Sequence, residues 1–424
     1  MADMHDPKLS MRRILDSSRD DLIDITQKLV KAASPNPPGD VDAAAAAAVQ
    51  MIRQYLPKAE ITLHATSPEI VNVVAVIRGS RPGKTLVFSG HLDTYPVGDV
   101  AHWDFPPLEG YVSEDGSRLY GRGAADMKGG IAASIIAIQA VAAQEFVWDG
   151  QIVLALAGDE ETMGILGTEW LLDNVDEVRV ADAVIVGDAG SPLVVRTGEK
   201  GLLWLELNAT GKAAHGAHVH HGVNAIEMLM EAISRVKELE KLNLQAPKDV
   251  IEAIEAAIPV SSQYAGVGEA DVLRRNTVNV GTISGGTSMN LIPDSATAKL
   301  DIRVPYGTTT ENVLEYIRNR LDDLQGVSFH PIRQYDPTWT SASEDLVKWT
   351  LAAAQEFVHS KAVINMRVGA SDARLYRQRG IPTVVVGLTP YNMGGPDEYC
   401  LVEELQQVAY VHAFTAFEFL IQEK

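Results

Sequence analysis

Val87–Asp99 reads VFSGHLDTYPVGD, and the fold and the chemistry both start there. The apolar run Thr85–Phe88 ends abruptly at Ser89-Gly90, and His91 and Asp93 follow at once. Alternate residues of an extended segment point the same way, so both can face one site at the carboxyl end of a strand. A metal-binding imidazole needs a nearby carboxylate to fix its ring and tautomer. Over three positions alone, two solvated polar residues at a strand end look the same. The rest of the chain separates the two cases.

Upstream, Met11–Ala32 carries apolar residues at helical spacing, SPNPPGD (Ser34–Asp40) breaks the helix, and an alanine-rich helix spans Val41–Leu56. Strand-like runs follow at Ile61–Leu63, Val71–Arg78 and Thr85–Ser89. Downstream, a Pro-rich loop leads to GRGAADMKGG (Gly121–Gly130) and a small-residue apolar helix, Ile131–Ala143. Asp126 therefore sits where a glycine-rich loop meets a helix, either as a cap or beside a ligand that the glycines let approach. The run Gln151–Ala157 ends in Gly158-Asp159-Glu160-Glu161, and Ala183–Val186 ends in Gly187-Asp188. Clustered acids repel unless solvated or compensated by a cation or proton. In open α/β sheets the carboxyl edge is where ligands bind, and here that edge gathers His91, Asp126, Glu161 and Asp188. Such a donor set suits zinc, manganese or cobalt.

From about Arg196 the pattern changes. A strand at Leu202–Leu207 precedes GKAAHGAHVHHGVNAI (Gly211–Ile226), a helix to about Leu242, a polar Glu/Ala-rich stretch (Lys248–Arg275), and strands at Thr277–Ile283 and Ala296–Arg303. This predicts a smaller two-layer α+β domain, 197–308, inserted into a larger domain made of 1–196 and 309–424. The return runs through a helix (Thr310–Leu324), Val327–Ile332, a helix (Ser343–Val358), the apolar run Pro382–Gly387 and a closing helix, Val402–Gln422. The expected fold class is α/β, a mostly parallel catalytic sheet flanked by helices with that insertion.

Composition bounds the partners. With 46% apolar and 22% charged residues the chain reads as globular, and a net charge of -20 argues against nucleic acid or an anionic membrane. A single cysteine, Cys400, allows no intrachain disulfide and leaves His, Asp and Glu as metal ligands. The segment MADMHDPKLSMRR lacks an apolar signal core, and no stretch approaches a transmembrane span, so a soluble, cytoplasmic protein is expected.

The motifs SGHLDTYPVGD, GRGAADMKGG, GDEETMGILGTEWL, VGDAG, GKAAH with GVNAI, NVGTISGG, GASDARLYRQRGIPTVVVG and PDEY, in that order over nearly the whole chain, resemble one family. It is that of the co-catalytic metallohydrolases, which include acetylornithine deacetylase, succinyl-diaminopimelate desuccinylase, aminoacylase and glutamate carboxypeptidase. The resemblance implies that His91, Asp126 and Asp188 bind a first metal, and that Asp126 bridges to a second also held by Glu161. It implies that Asp93 orients His91 and that Glu160 is the general base. It also implies that the inserted domain, 197–308, is a lid or dimerisation domain of a catalytic domain (1–196 and 309–424). From it His215 of GKAAH reaches into a partner subunit's site to stabilise the oxyanion, which requires a homodimer or higher homo-oligomer formed through the lid. Arg374 and Arg303 resemble arginines that relatives use on a substrate carboxylate. Arg303 reads equally as a structural strand residue, which leaves Arg374 the stronger candidate. Asn290 resembles a lid residue that touches substrate. His218, His220 and His221 lie outside the usual pattern, as substrate ligands or as surface loop.

One departure bears on the metal count. Relatives carry a His shortly before the PDEY-like segment, and Gly394 stands in its place. The second ion keeps Asp126 and Glu161 alone, too few for a tight site. One divalent ion per subunit, Mn or Zn or Co, is expected. Three functions follow from this set: hydrolysis of an amide in a small carboxylated substrate such as an N-acyl amino acid or dipeptide; hydrolytic deamination of an aromatic amino-carboxylate, as by 5-nitroanthranilate aminohydrolase; or ligand binding without catalysis. Retention of Asp93 and Glu160 argues against the last, since a binder needs no poised base.

Overall fold

Thr85–His91 is buried along its whole length at the centre of a sheet that, among the described residues, has nine strands. The computed structural model describes residues 6–144 and 148–421, so Gln422, expected at the end of the closing helix, lies outside them. Thr85–His91 runs parallel to Gln151–Ala157 on one side and to Ala183–Val186 on the other. Thr383–Val385 continues the parallel pairing beyond Ala183–Val186. The hairpin Glu60–Ala65 and Val71–Arg78 adds antiparallel strands at one edge. At the other edge Val194–Glu199 pairs with Val363–Arg367 in parallel and with Thr338–Trp339 antiparallel. The central strands read as continuous apolar runs because helices cover both faces.

One face carries the Gly129–Ala142 helix, packed beneath Arg19–Lys31 and Val402–Leu420. Every residue from Gly129 to Ile138 is buried. Each isoleucine there contributes on the order of 1.5–3 kcal/mol relative to exposure. By length and composition Ala124–Ala142 is apolar enough to cross a membrane, against the expectation that no stretch is, but this helix is the core of the fold. The predicted helix over Met11–Ala32 is two, Pro7–Asp16 and Arg19–Lys31. They part at Ser17-Ser18, whose hydroxyls donate to the Arg13, Ile14 and Leu15 carbonyls and so compete with the helical ladder.

A second, four-stranded antiparallel sheet is ordered Thr277–Gly285, Ser295–Val304, Gly201–Thr210, Val327–Tyr335. Helices Ala225–Lys237 and Thr310–Leu321 cover one face, where Leu203, Leu205 and Leu207 meet Leu229, Val236, Val313 and Ile317. This layer thus runs from Gly201 to Tyr335, past the expected return at 309. The apolar stripe of Thr310–Leu321 has its complement on the small sheet, and Val327–Tyr335 pairs with Gly201–Thr210 over most of its length. The stretch Lys248–Arg275 instead forms two helices, Lys248–Ala265 and Glu269–Arg274. These pack on the large sheet through Val250, Ile254 and Leu273 against Met366.

Candidate metal centre

His91 closes the central strand and is almost wholly buried. Its Nδ1 lies 2.9 Å from the Asp93 main-chain oxygen and 3.5 Å from Asp93 Oδ1. A carbonyl only accepts, so Nδ1 carries a proton, and Nε2, 3.1 Å from Asp126 Oδ1, is the nitrogen placed where a metal would be held. The Asp93 carboxylate has a further task. It accepts the Glu160 N–H (3.1 Å), the Glu161 N–H (3.1 Å) and the Asn36 side-chain amide (2.9 Å). One acid thus ties the His91 strand end to the acidic turn after Gln151–Ala157. Asn36 belongs to the SPNPPGD break, which from sequence signals only a turn.

Asp126 is placed from outside its own loop. Glu398 Oε1 accepts the N–H groups of Gly123 (3.1 Å), Ala125 (3.2 Å) and Asp126 (3.3 Å). Its other oxygen pairs with the buried Arg122 guanidinium. A Cβ on Gly130 would lie 1.9 Å from the Gly187 carbonyl oxygen. Only glycine lets these backbones meet, and that contact sets the helix behind Asp126 against the strand end before Asp188. Asp159 shapes the acidic turn rather than joining the centre, its Oδ2 accepting the Leu166 N–H at 2.7 Å.

The outcome is two overlapping donor groups, His91–Asp126–Asp188 and His91–Glu160–Glu161, each with ligand atoms within 4.8 Å of one another. Burial raises the carboxyls: Glu160 well above the usual range, Glu161 to about 8 with Asp126 adding repulsion, and Asp188 to about 6 against the opposing pull of Arg367. Burial alone would lower His91, but Asp126 and Asp93 outweigh it and hold the imidazole well above its ordinary value. Asp126 is left below the ordinary range, since His91 overrides its burial. Glu161 Oε1 is buried without a hydrogen-bond partner. Raised carboxyls, an unpaired buried oxygen and an imidazole nitrogen turned onto a carboxylate form a donor set that fits a divalent transition ion, which would take the place of the proton between them.

A cavity of about 250 Å³ opens onto Asp126, Glu160, Glu161 and Asp188, and its far wall is Leu202, Trp204, Arg303 and Tyr335 from the small sheet. Arg303 lines it while paired with Asp301 (Nε–Oδ1 2.8 Å). Arg374, the stronger candidate from sequence, is not among the lining residues. Its Nη1 donates to the Ser371 carbonyl (2.8 Å) and its Nη2 to the Met163 carbonyl (2.7 Å), so it braces two loops behind the site. The guanidinium that does face the acids is Arg367, whose Nη1 donates to Asp188 Oδ2 at 2.8 Å. Sequence reading missed it because Val363–Arg367 is a short strand with Asn365 in its middle. Tyr95, Met163, Gly369, Ala370 and Met393 complete the lining. His215, His218 and Asn290 are exposed on the small-sheet side, with Gly216 N–H donating to the Asn290 carbonyl, and none lines this cavity. His412 is far from a ligand role: Nε2 donates to the Val386 carbonyl at 2.8 Å and Nδ1 faces Ser134 Oγ at 3.2 Å.

Acids and an imidazole delivered to one edge of a largely parallel sheet, under a second sheet that closes the cavity, define a metal-dependent hydrolase. The chain belongs to the peptidase family M20/M25/M40, whose profile matches residues 87–418. It is accordingly an amide or peptide hydrolase of that family. It is 27% identical over 407 residues to succinyl-diaminopimelate desuccinylase from Paracoccus denitrificans, covering 92% of this chain and 95% of that one. Its fold is similar to that of an M20 family metallo-carboxypeptidase from Sulfolobus solfataricus (TM-score 0.73, 21% identity, 96% of this chain and 100% of the other). It is also similar to that of a dinuclear metal-binding M20 peptidase from Bacillus subtilis (TM-score 0.66, 15% identity, 96% and 99%).

Proposed function

We propose that the chain cleaves the C–N bond of an amide in a small carboxylated substrate, an N-acyl amino acid or a dipeptide, with one divalent ion, Mn or Zn, at His91, Asp126 and Asp188. The observation that carries this reading is the meeting of that triad, the Glu160–Glu161 turn and Arg303 around one cavity. A divalent ion held there would lower the pKa of a coordinated water toward neutrality and polarise the scissile carbonyl. Glu160 is the base in this reading. Its backbone N–H is fixed by Asp93, and its raised pKa suits a group that must hold a proton at neutral pH and pass it to the leaving nitrogen. Glu161 faces the same water or joins the ion. Arg303, on the small-sheet wall of the cavity, is the guanidinium suited to a carboxylate on the substrate.

The Gly201–Tyr335 layer serves as a lid, and His215 and Asn290 act from it on the site of a second copy. The minimal active unit is then a dimer. The protein works in the cytoplasm, where its one cysteine, buried, needs no partner. Product analysis tests the reaction. Metal-loaded protein is offered a pool of N-acyl amino acids and dipeptides, and separately a pool of aminobenzoates including nitro-activated ones. Free amino acids from the first pool are the expected result. Ammonia from the second pool alone would replace amide hydrolysis by ring deamination.

A further inference from the structure

Four carboxylates, Asp126, Glu160, Glu161 and Asp188, line one cavity, and both donor groups among them depend on the same residue, His91. With Nδ1 committed to the Asp93 carbonyl, His91 has a single lone pair to give. Two ions cannot share it. An ion at His91–Asp126–Asp188 leaves a second ion only carboxylate oxygens, from Glu161 and a bridging Asp126, with no nitrogen donor at all, a set better suited to weakly held hard cations. The opposite wall offers no replacement, since the Tyr391–Tyr399 segment contributes Met393 to the lining. Gly394 in that segment has φ +75, with only the Tyr95 ring near the place a side chain would start.

The second positive charge is already there. Arg367 Nη1 donates to Asp188 Oδ2 at 2.8 Å, and its side chain is mostly buried. Arg303 is matched by Asp301 and Arg374 is spent on backbone carbonyls, so Arg367 is the lining guanidinium whose ion pair is with an acid of the centre. Asp188 has two oxygens, and the arginine takes one while the other remains for an ion. One divalent ion and one guanidinium nearly balance the four carboxylates and leave one carboxyl to carry a proton. A second divalent ion would exceed them.

We propose that Arg367 is a built-in cation standing in for a second metal ion, so that the centre fills with one divalent ion per chain. It is a positioning residue, acting through Asp188. This rests on the reading of the site as a hydrolase metal centre, but its test does not rest on turnover. Full-length protein is stripped with chelator, equilibrated with Mn2+, gel-filtered, and its metal counted by plasma mass spectrometry alongside a calorimetric Mn2+ titration. Wild type and Arg367→Lys are expected to hold one Mn2+ per chain by both readings, and Arg367→Met to show a second, weaker Mn2+ site in the calorimetric titration. If Arg367→Met fails to fold, Arg367→Gln is read in its place. Two ions on the wild type would overturn the proposal, as would an Arg367→Met isotherm that superimposes on the wild type. Either result leaves amide hydrolysis to be judged separately, by product release.

Discussion

At the scale of single residues the centre separates ligands from the base. Glu160 and Glu161 are neighbours on one turn, and both backbone N–H groups are held by Asp93. Glu160→Gln keeps the size and the turn and removes the proton carrier. It is expected to retain metal at the wild-type level while kcat falls about 10²–10⁴-fold, as for loss of a general base. Metal counting and steady-state kinetics on the same preparation check this. His91, Glu160, Glu161 and Asp188 were legible in sequence because each closes or follows an apolar run that must be a strand, and Asp126 because a glycine-rich loop carries it into an apolar helix. Arg374 and Arg367 were not separable that way: both are arginines near the chain's return. Only the fold shows that one donates to the Ser371 and Met163 carbonyls and the other to Asp188.

At the scale of elements, the closing helix Val402–Leu420 is locked to Gly129–Ala142 partly through a neutral histidine. Burial pushes His412 down to about 4, with its bond to the Val386 carbonyl opposing. The unfolded chain takes up that proton near pH 6.5 and the folded chain only near 4. The unfolded state therefore binds more protons between those values, and stability falls as pH drops through them. The slope is up to about 1.4 kcal/mol per pH unit from this group. Urea midpoints measured from pH 7 to pH 4 should fall less steeply for His412→Gln than for wild type; parallel curves would show that His412 does not titrate this way. Element identities were mostly legible, since buried strands such as Gln151–Ala157 and Ala183–Val186 are apolar throughout. The helix break at Ser17-Ser18 was not, because hydroxyls that turn back onto the helix leave the apolar periodicity intact. Nor were the Lys248–Ala265 and Glu269–Arg274 helices, whose apolar contacts with Met366 lie in a distant strand.

At the scale of the whole molecule the two sheets share the cavity, and His215 stands outside it. How far the second layer extends was not legible, because Thr310–Leu321 and Val327–Tyr335 look alike whether they cover the large sheet or the small one; the partner face, Leu203, Leu205 and Leu207, decides. If His215 serves a second copy, His215→Ala and Glu160→Gln are each nearly inactive alone. Mixed, unfolded and refolded together in equal amounts, they should recover about a quarter of wild-type activity, since half the dimers are hybrids and each hybrid has one intact site. No recovery, with hybrid dimers shown by native mass spectrometry, would place His215 in its own chain's service. One ion at His91, Asp126 and Asp188 is proposed to carry the hydrolysis, and a chelation series is the measurement to make. Amide hydrolysis and bound metal are followed in the same samples as chelator is raised and the ion is then restored. Activity and metal content are expected to fall together and return together, reaching full activity at one ion per chain. Undiminished hydrolysis by metal-stripped protein would contradict the proposal.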